Sequence, residues 1–356
     1  MAIPTENADL LIGTDNFDFI NGLGGNDAIL GLGNDDLLLG GDGNDLLVGG
    51  RGSDTLNGGT GNDTANFNDS SLRVSANLSQ GIARFSANDF SNTSEVDTLL
   101  SIENLVGGSA GDQLIGNAAA NRISGMLGND QLIGYAGNDH LVGGDGDDYL
   151  DGGKGADTLI GGAGIDTVDY FYSGKGVQIN LIDNTASGGD ANGDVISGVE
   201  SIYGSDFADT LTGNSSSSSL AGNVGDDFIT GNGGKDDITG GMGHDILSGG
   251  GGADTFHFHD VAESGTSAAT RDLITDFKTG ADHIDLSHVG YNGDKFNTVH
   301  FSFVGLQKFS GTGDELRLVY SGANTFIYGD GNGDKLTDFQ IEFTGHLTLT
   351  ATDFIF

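Results

Sequence analysis

The sequence predicts an all-β protein: a parallel β-roll, or β-helix solenoid, in three repeat runs, followed by a C-terminal β-rich module. Three observations carry that expectation. Glycine and aspartate recur with a period of nine, an aliphatic residue stands two places after each aspartate, and alternating apolar residues take over where the period stops.

Composition narrows the function classes first. Glycine fills 65 of 356 positions and proline one, and 52 acidic residues face 13 basic ones for a net charge of −39. Such a chain repels nucleic acid, so nucleic acid is excluded as a partner. Short carboxylates in this number either solubilise a disordered tail or supply oxygen ligands to hard cations. Only periodicity separates the two. Cysteine is absent, which removes disulfides and thiolate metal sites. The N-terminal residues Met1 to Asn7 lack the basic and apolar regions of a Sec signal, and no apolar run is long enough to be a transmembrane segment. The expectation is a soluble chain whose export is Sec-independent.

The first run, residues 10–66, places Gly13, Gly22, Gly31, Gly40, Gly49 and Gly58 in phase. Five residues after each come Asp18, Asp27, Asp36, Asp45, Asp54 and Asp63, then Ile20, Ile29, Leu38, Leu47, Leu56 and Ala65. Residues 67–106 break the period. Their alternating stretch Val74–Leu78 reads as an extra strand that either continues the solenoid or belongs to a small sheet packed on it. The second run, 107–168, carries Asp112, Asp130, Asp139, Asp148, Asp157 and Asp166, with Asn121 interrupting. Residues 169–203 repeat the pattern of the first break, with Val177–Leu181 matching Val74–Leu78 and Val199–Ile202 matching Ile102–Leu105, so a module is duplicated. The third run, 204–256, gives Asp209, Asp227, Asp236, Asp245 and Asp254, with Ser218 interrupting. Residues 257–356 read as conventional β-structure, with strand-like stretches at 256–258, 298–304 and 315–320.

These nonapeptides resemble the RTX repeat GGxGxDxUx, a Ca²⁺-binding parallel β-helix unit. In that repeat a six-residue glycine loop turns its carbonyls toward a cation, and a three-residue strand sends its aliphatic side chain inward. Two repeats make one coil. Loops on the same side are then eighteen residues apart and stack at about the 4.8 Å strand spacing, close enough to share an ion. The resemblance implies as metal ligands Asp27 with Asp45, Asp36 with Asp54, and Asp45 with Asp63 in the first run. In the second it implies Asp130 with Asp148, Asp139 with Asp157, and Asp148 with Asp166, and in the third Asp227 with Asp245 and Asp236 with Asp254. Their loops turn on the fourth-position glycines Gly25, Gly43, Gly52, Gly61, Gly128, Gly137, Gly146, Gly155, Gly164, Gly225, Gly234, Gly243 and Gly252. Roughly eight or more Ca²⁺ ions are expected. Opening repeats carry Asn16, Ala110, Ala119, Phe207 and Ser216 at the fourth position and read as caps without a complete site; Asn34 makes the same exchange inside the first run.

From Gly252-Ala-Asp-Thr-Phe256 through Ile274-Thr-Asp-Phe277 and Gly280–Ser287 to Asp353-Phe-Ile-Phe356, the chain is similar to the C-terminal module of serralysin-type metalloproteases, shared with alginate epimerases. That resemblance implies an extracellular protein delivered by a type I secretion exporter that reads a C-terminal signal.

The catalytic domain of those proteases has no counterpart here. No histidine is followed by glutamate, so the HExxH zinc helix of those proteases is missing. Gly107-Gly-Ser-Ala-Gly111 fits GxSxG in letters only, because it lies in repeat phase with no helix-forming sequence after it. His257 and His259 share a strand face and either bind a transition metal or are ordinary histidines. Asp330–Asp334 with Asp338, and Asp190–Asp194, offer further Ca²⁺ oxygens or plain Asn-Gly turns. The leading expectation is a non-catalytic, secreted calcium-binding protein resembling the calcium-binding nodulation proteins of rhizobia, with cell-envelope components or extracellular polysaccharide as partners. The alternative is a polysaccharide-active enzyme or carbohydrate-binding module that uses the roll as scaffold.

Overall fold

The computed structural model describes residues 4–86, 92–289 and 300–356, and among these the only helical elements are two short 3-10 turns, Gly189–Ala191 and Ala351–Asp353. Strands of two to nine residues make up the rest of the regular structure. Each coil repeats one solution. The aliphatic residue at the eighth position points inward, as Ile29, Leu38, Leu47 and Leu56 do at 0 % exposure, and its neighbours at the seventh and ninth positions face outward. Burying one such side chain contributes about 1.5–3 kcal/mol.

Two compact units share the chain, one formed by Met1–Asp169 with Gly193–Val199, the other by Tyr170–Asn192 with Glu200–Phe356. In the first unit strands from alternate repeats stack in parallel with a register of eighteen, Leu10–Ile12 on Ala28–Leu30 and Phe19–Asn21 on Leu37–Leu39. The segment 67–106 does not interrupt this stacking; it joins it. Arg73–Asn77, Ile82–Ser86 and Asn92–Leu100 form an antiparallel meander. Its outer strands pair in parallel with the roll, Thr98–Leu100 on Thr55–Asn57 and Ser75–Asn77 on Gln113–Ile115. The edge ring pair Phe67 and Phe85, 5.6 Å apart, packs the meander's inner face.

The second intervening segment divides between the units. Val195–Ser197 pairs with Thr158–Ile160 in the first, whereas the hairpin Gln178–Asn180 with Thr185–Ser187 lies against Thr210–Thr212 in the second. In the second unit the roll runs on through Ile246–Ser248, Leu273–Ile274 and Ile341–Phe343 on one side. On the other it runs through Thr255–His257, His283–Asp285 and Phe354–Ile355. An antiparallel sheet of Glu315–Ser321, Asn324–Asp330 and Phe339–Phe343 is fused to the first of these stacks. The stretch expected at 298–304 is seen as Ser302–Gly305, with 298–299 outside the described residues.

Candidate metal centre

The loop of each full repeat depends on two left-handed residues. The second and fourth positions have positive φ, as in Gly41 (+112°) and Gly43 (+133°). A side chain there would be strained, and a Cβ on Gly43 would collide with the Gly25 carbonyl in the coil beneath. Asn34 holds the same left-handed geometry at φ 62° and donates its amide to the Asp15 carbonyl, so the loop survives the exchange.

These turns set the sixth-position aspartates in a buried row. The structure brings every expected i, i+18 pair together by one bond, in which the main-chain N–H of the earlier aspartate donates to Oδ1 of the later one. Asp27 reaches Asp45 at 2.8 Å, Asp36 reaches Asp54 at 2.8 Å and Asp45 reaches Asp63 at 2.8 Å. In the second run the bonds are 2.8 Å for Asp130 to Asp148, 2.7 Å for Asp139 to Asp157 and 2.9 Å for Asp148 to Asp166. In the third they are 2.9 Å for Asp227 to Asp245 and 3.1 Å for Asp236 to Asp254.

The second carboxylate oxygen has a different fate. In Asp27, Asp36, Asp45, Asp54, Asp63, Asp130, Asp139, Asp148, Asp157, Asp227, Asp236, Asp245 and Asp254, Oδ2 is buried and accepts no hydrogen bond. It points into the space left by the missing Cβ of the repeat's own first glycine. The first carbonyl of the next coil enters the same space; a Cβ on Gly134 would be wedged between Asp139 Oδ2 and the Gly152 carbonyl oxygen, 2.7 Å from the latter. An orphaned carboxylate oxygen is costly, and here a main-chain carbonyl oxygen shares its space. That donor set fits a hard divalent cation such as Ca²⁺, which takes carboxylate and carbonyl oxygens together. Among the described residues no three acidic or histidine side chains converge, so a bound ion would draw much of its shell from main-chain carbonyls.

The opening repeats solve the same problem without an ion. There the N–H of the second position folds back onto the sixth side chain: Thr14 to Asp18 Oδ2 at 2.6 Å, Gly108 to Asp112 Oδ2 at 2.6 Å, Ser205 to Asp209 Oδ2 at 2.6 Å, and Asn117 to Asn121 Oδ1 at 2.8 Å. The side-chain oxygens of Asp18, Asp112, Asp209 and Asn121 have the donor that the others lack.

Several acidic residues outside the nonapeptides continue the row. Asp97 Oδ1 accepts the Asp54 N–H at 2.9 Å, Glu103 takes Asp63 at 2.8 Å, Asp194 takes Asp157 at 2.8 Å, Asp272 takes Asp245 at 3.0 Å and Asp282 takes Asp254 at 3.1 Å. Asp97 and Asp272 also have orphaned Oδ2 atoms. Sequence reasoning singled out Asp194 only within the stretch Asp190–Asp194 and missed the others, which lie outside the nonapeptide phase. Their signal was the tripeptide Asp-x-aliphatic, in Asp97-Thr-Leu99, Asp194-Val-Ile196, Asp272-Leu-Ile274 and Asp282-His-Ile284.

Burial, and then neighbouring carboxylates, pushes these acids upward: Asp54 and Asp63 to about 6, Asp245 and Asp227 to about 7, Asp97 to about 8 and Asp272 to about 9. Burial likewise raises Asp130 and Asp139 to about 7.

The other candidates are occupied by the protein itself. Asp330 accepts the Gly333 and Lys335 N–H groups at 2.7 and 3.0 Å and Asp338 accepts that of Gly331 at 2.8 Å, which makes this segment a turn closed on its own carboxylates. His257 lies between Asp237 at 3.3 Å and Asp285 at 3.2 Å, and its ring stacks on His259.

The model of the family described as Peptidase M10 serralysin C terminal matches residues 57–356. That of the RTX calcium-binding nonapeptide repeat matches 4–38 and 30–65. Among curated proteins none matches significantly. Among solved structures, the AlgE6R3 and AlgE6R2 subunits of the Azotobacter vinelandii mannuronan C5-epimerase are each 30% identical over 42% of this chain. The match covers 79% and 89% of those chains, with TM-scores of 0.32 and 0.33. The extracellular lipase LipA of Serratia marcescens is 16% identical over 70% of this chain and 40% of its own, with a TM-score of 0.27.

Proposed function

This chain belongs to the serralysin C-terminal family and is a secreted, calcium-binding RTX protein of the type I export route; from that premise we propose that it is non-catalytic and that Ca²⁺ is the ligand that folds it, outside the cell. The observation that supports this reading is the row of buried, unpartnered Oδ2 atoms beside inward-turned carbonyls, absent from the capping repeats. The residues that would hold the ions are the paired aspartates, with the carbonyls of the glycine loops. A bound ion supplies the positive charge that offsets their repulsion. Without it, ordering costs about 1–2 kcal/mol of backbone entropy per residue, most at glycine, with buried anions added. Far-UV circular dichroism should pass from disordered to β on adding millimolar Ca²⁺ to the stripped protein. A full β spectrum in chelator at neutral pH would defeat the proposal.

A second reading has one observation in its favour. A shallow groove of about 260 Å³ on the first unit is lined by Thr64, Asn104, Val106, Arg122, Ser124, His140 and neighbours, with no acid among them. On a chain of charge −39 an acid-free groove carrying Arg122 supports a carbohydrate-binding reading, with an acidic extracellular polysaccharide as the ligand. Saturable polyuronate binding that Arg122→Ala abolishes would support a carbohydrate-binding module, and turnover of the polymer would support an enzyme.

A further inference from the structure

We propose that the antiparallel meander of the first unit carries a divalent-cation site of its own, shared by Asp54 and Asp97, so that the metal row continues past the last repeat of the first run. The inference rests on the Ca²⁺ reading of the nonapeptides and extends it to a segment without the repeat. By the eighteen-residue rule Asp54 should face residue 72, which is Leu72. The chain instead delivers Asp97. The Asp54 N–H donates to Asp97 Oδ1 at 2.9 Å, the bond that the Asp36 N–H makes to Asp54 Oδ1 at 2.8 Å. Thr98–Leu100 lies parallel on Thr55–Asn57, as Thr55–Asn57 lies on Leu37–Leu39, and Leu99 stacks on Leu56.

Asp97 therefore receives the Asp54 N–H as a sixth-position aspartate would, although no glycine loop precedes it and its far side pairs antiparallel with Ala83. Asp54 and Asp97 are each 1 % exposed, and each has an Oδ2 that accepts nothing. The charged neighbours that act on the two are Asp35, Asp36, Asp69 and Glu95, all acidic. Two stacked, buried carboxylates in an acidic surround call for a cation between them. Residues 92–96 contain no glycine, so the meander offers no glycine-loop carbonyls, and the site should fill at higher Ca²⁺ than those between two nonapeptide loops. Filling it would fasten the meander to the roll.

Equilibrium dialysis of the full chain against Ca²⁺ tests this with Asp97→Asn, which keeps the Oδ1 acceptor. Asp36→Asn serves as a nonapeptide reference and exposed Asp183→Asn, in the other unit, as a control. Asp97→Asn is expected to lose one ion, the weakest, while leaving the midpoint of the tighter ones within about twofold. It should also increase the order of the metal-free chain, having one buried charge fewer, yet reduce the gain in melting temperature on adding Ca²⁺; a merely structural role would lower both. If Asp36→Asn loses an ion and Asp97→Asn does not, the meander site is wrong and the repeat reading stands. If the wild-type chain binds no Ca²⁺, both fall.

Discussion

Asp148 and Asp112 lie in the same run, equally buried, and differ in what their second oxygen touches. Asp112 Oδ2 accepts the Gly108 N–H, whereas Asp148 Oδ2 accepts nothing. Asp148 also stands between two stacked partners, Asp130 and Asp166. Asp148→Ala should therefore lower the bound-ion count and raise the Ca²⁺ midpoint for folding, and Asp112→Ala should change that count little. Dialysis with circular dichroism reads both, and equal ion losses would remove the distinction between cap and site. The second loop position makes a parallel case. Leu23, Leu32, Met126, Tyr135, Asn223 and Asn232 are left-handed without being glycine, and each lies one coil after an opening segment whose loop is built differently. One coil later a carbonyl stands beneath, so that a Cβ on Gly144 would run into the Met126 oxygen. Gly144→Ala should cost about 2–4 kcal/mol through positive φ and collision, and Met126→Gly should gain about 1 kcal/mol by relief of φ alone. Urea unfolding in saturating Ca²⁺ would show the opposite signs.

At the scale of elements, the period of nine made the roll legible because one loop and one strand are specified by every repeat. The glycine rows mark the left-handed turns and the aliphatic row marks the core, so the three-residue strand Leu46–Val48 could be placed from sequence, whereas its extension to Arg51, into the next loop, was not expected. The meander was legible only as alternation. Its pairing spans 43 residues from Thr55 to Thr98, and the one local sign in Asn92–Leu100 that Asp97 takes a repeat aspartate's place is the tripeptide Asp97-Thr-Leu99, which carries no glycine loop before it. The seam at Asp169 was likewise hidden, since a division between compact units depends on long-range packing. The C-terminal tetrapeptide shows how one segment can be read twice. Phe354–Ile355 is a strand on Ile284–Asp285, and Asp353 accepts the Gly280 N–H at 2.7 Å and the Thr350 N–H at 2.7 Å, yet Ile355 and Phe356 are each 40% exposed. We propose that the strand role belongs to the folded protein and an export role to the unfolded chain inside the cell. Deleting residues 353–356 should leave the protein in the producing cell, while the purified truncation still gains β-structure with Ca²⁺. Undiminished secretion would show that the tail is a strand and nothing more.

For the whole molecule, the decisive quantity is a charge of −39 folded around buried carboxylates, and it ties stability to protons as well as to Ca²⁺. Burial, reinforced by neighbouring aspartates, raises Asp54 and Asp63 from 3.8 to about 6 and Asp130, Asp227 and Asp245 to about 7. A carboxylate whose pKa is higher in the folded than in the unfolded chain binds more protons when folded. Its contribution is fully present below 3.8 and is lost as pH rises through about 6 to 7. Metal-free protein should thus be least ordered above pH 7 and gain β-structure on acidification toward pH 5, still above its isoelectric point of about 4.1. Protons and Ca²⁺ then act on the same oxygens, so each weakens the other's hold. The Ca²⁺ midpoint for folding should rise as pH falls from 8 to 6, even while the metal-free baseline becomes more ordered. Circular dichroism of stripped protein in calcium-free buffer, repeated as a Ca²⁺ titration at each pH, measures both trends. A baseline that stays flat from pH 8 to 5 would mean that the buried aspartates do not set the order of the metal-free chain. A midpoint that falls on acidification would mean that the protonated oxygens are not the ones that receive the ion.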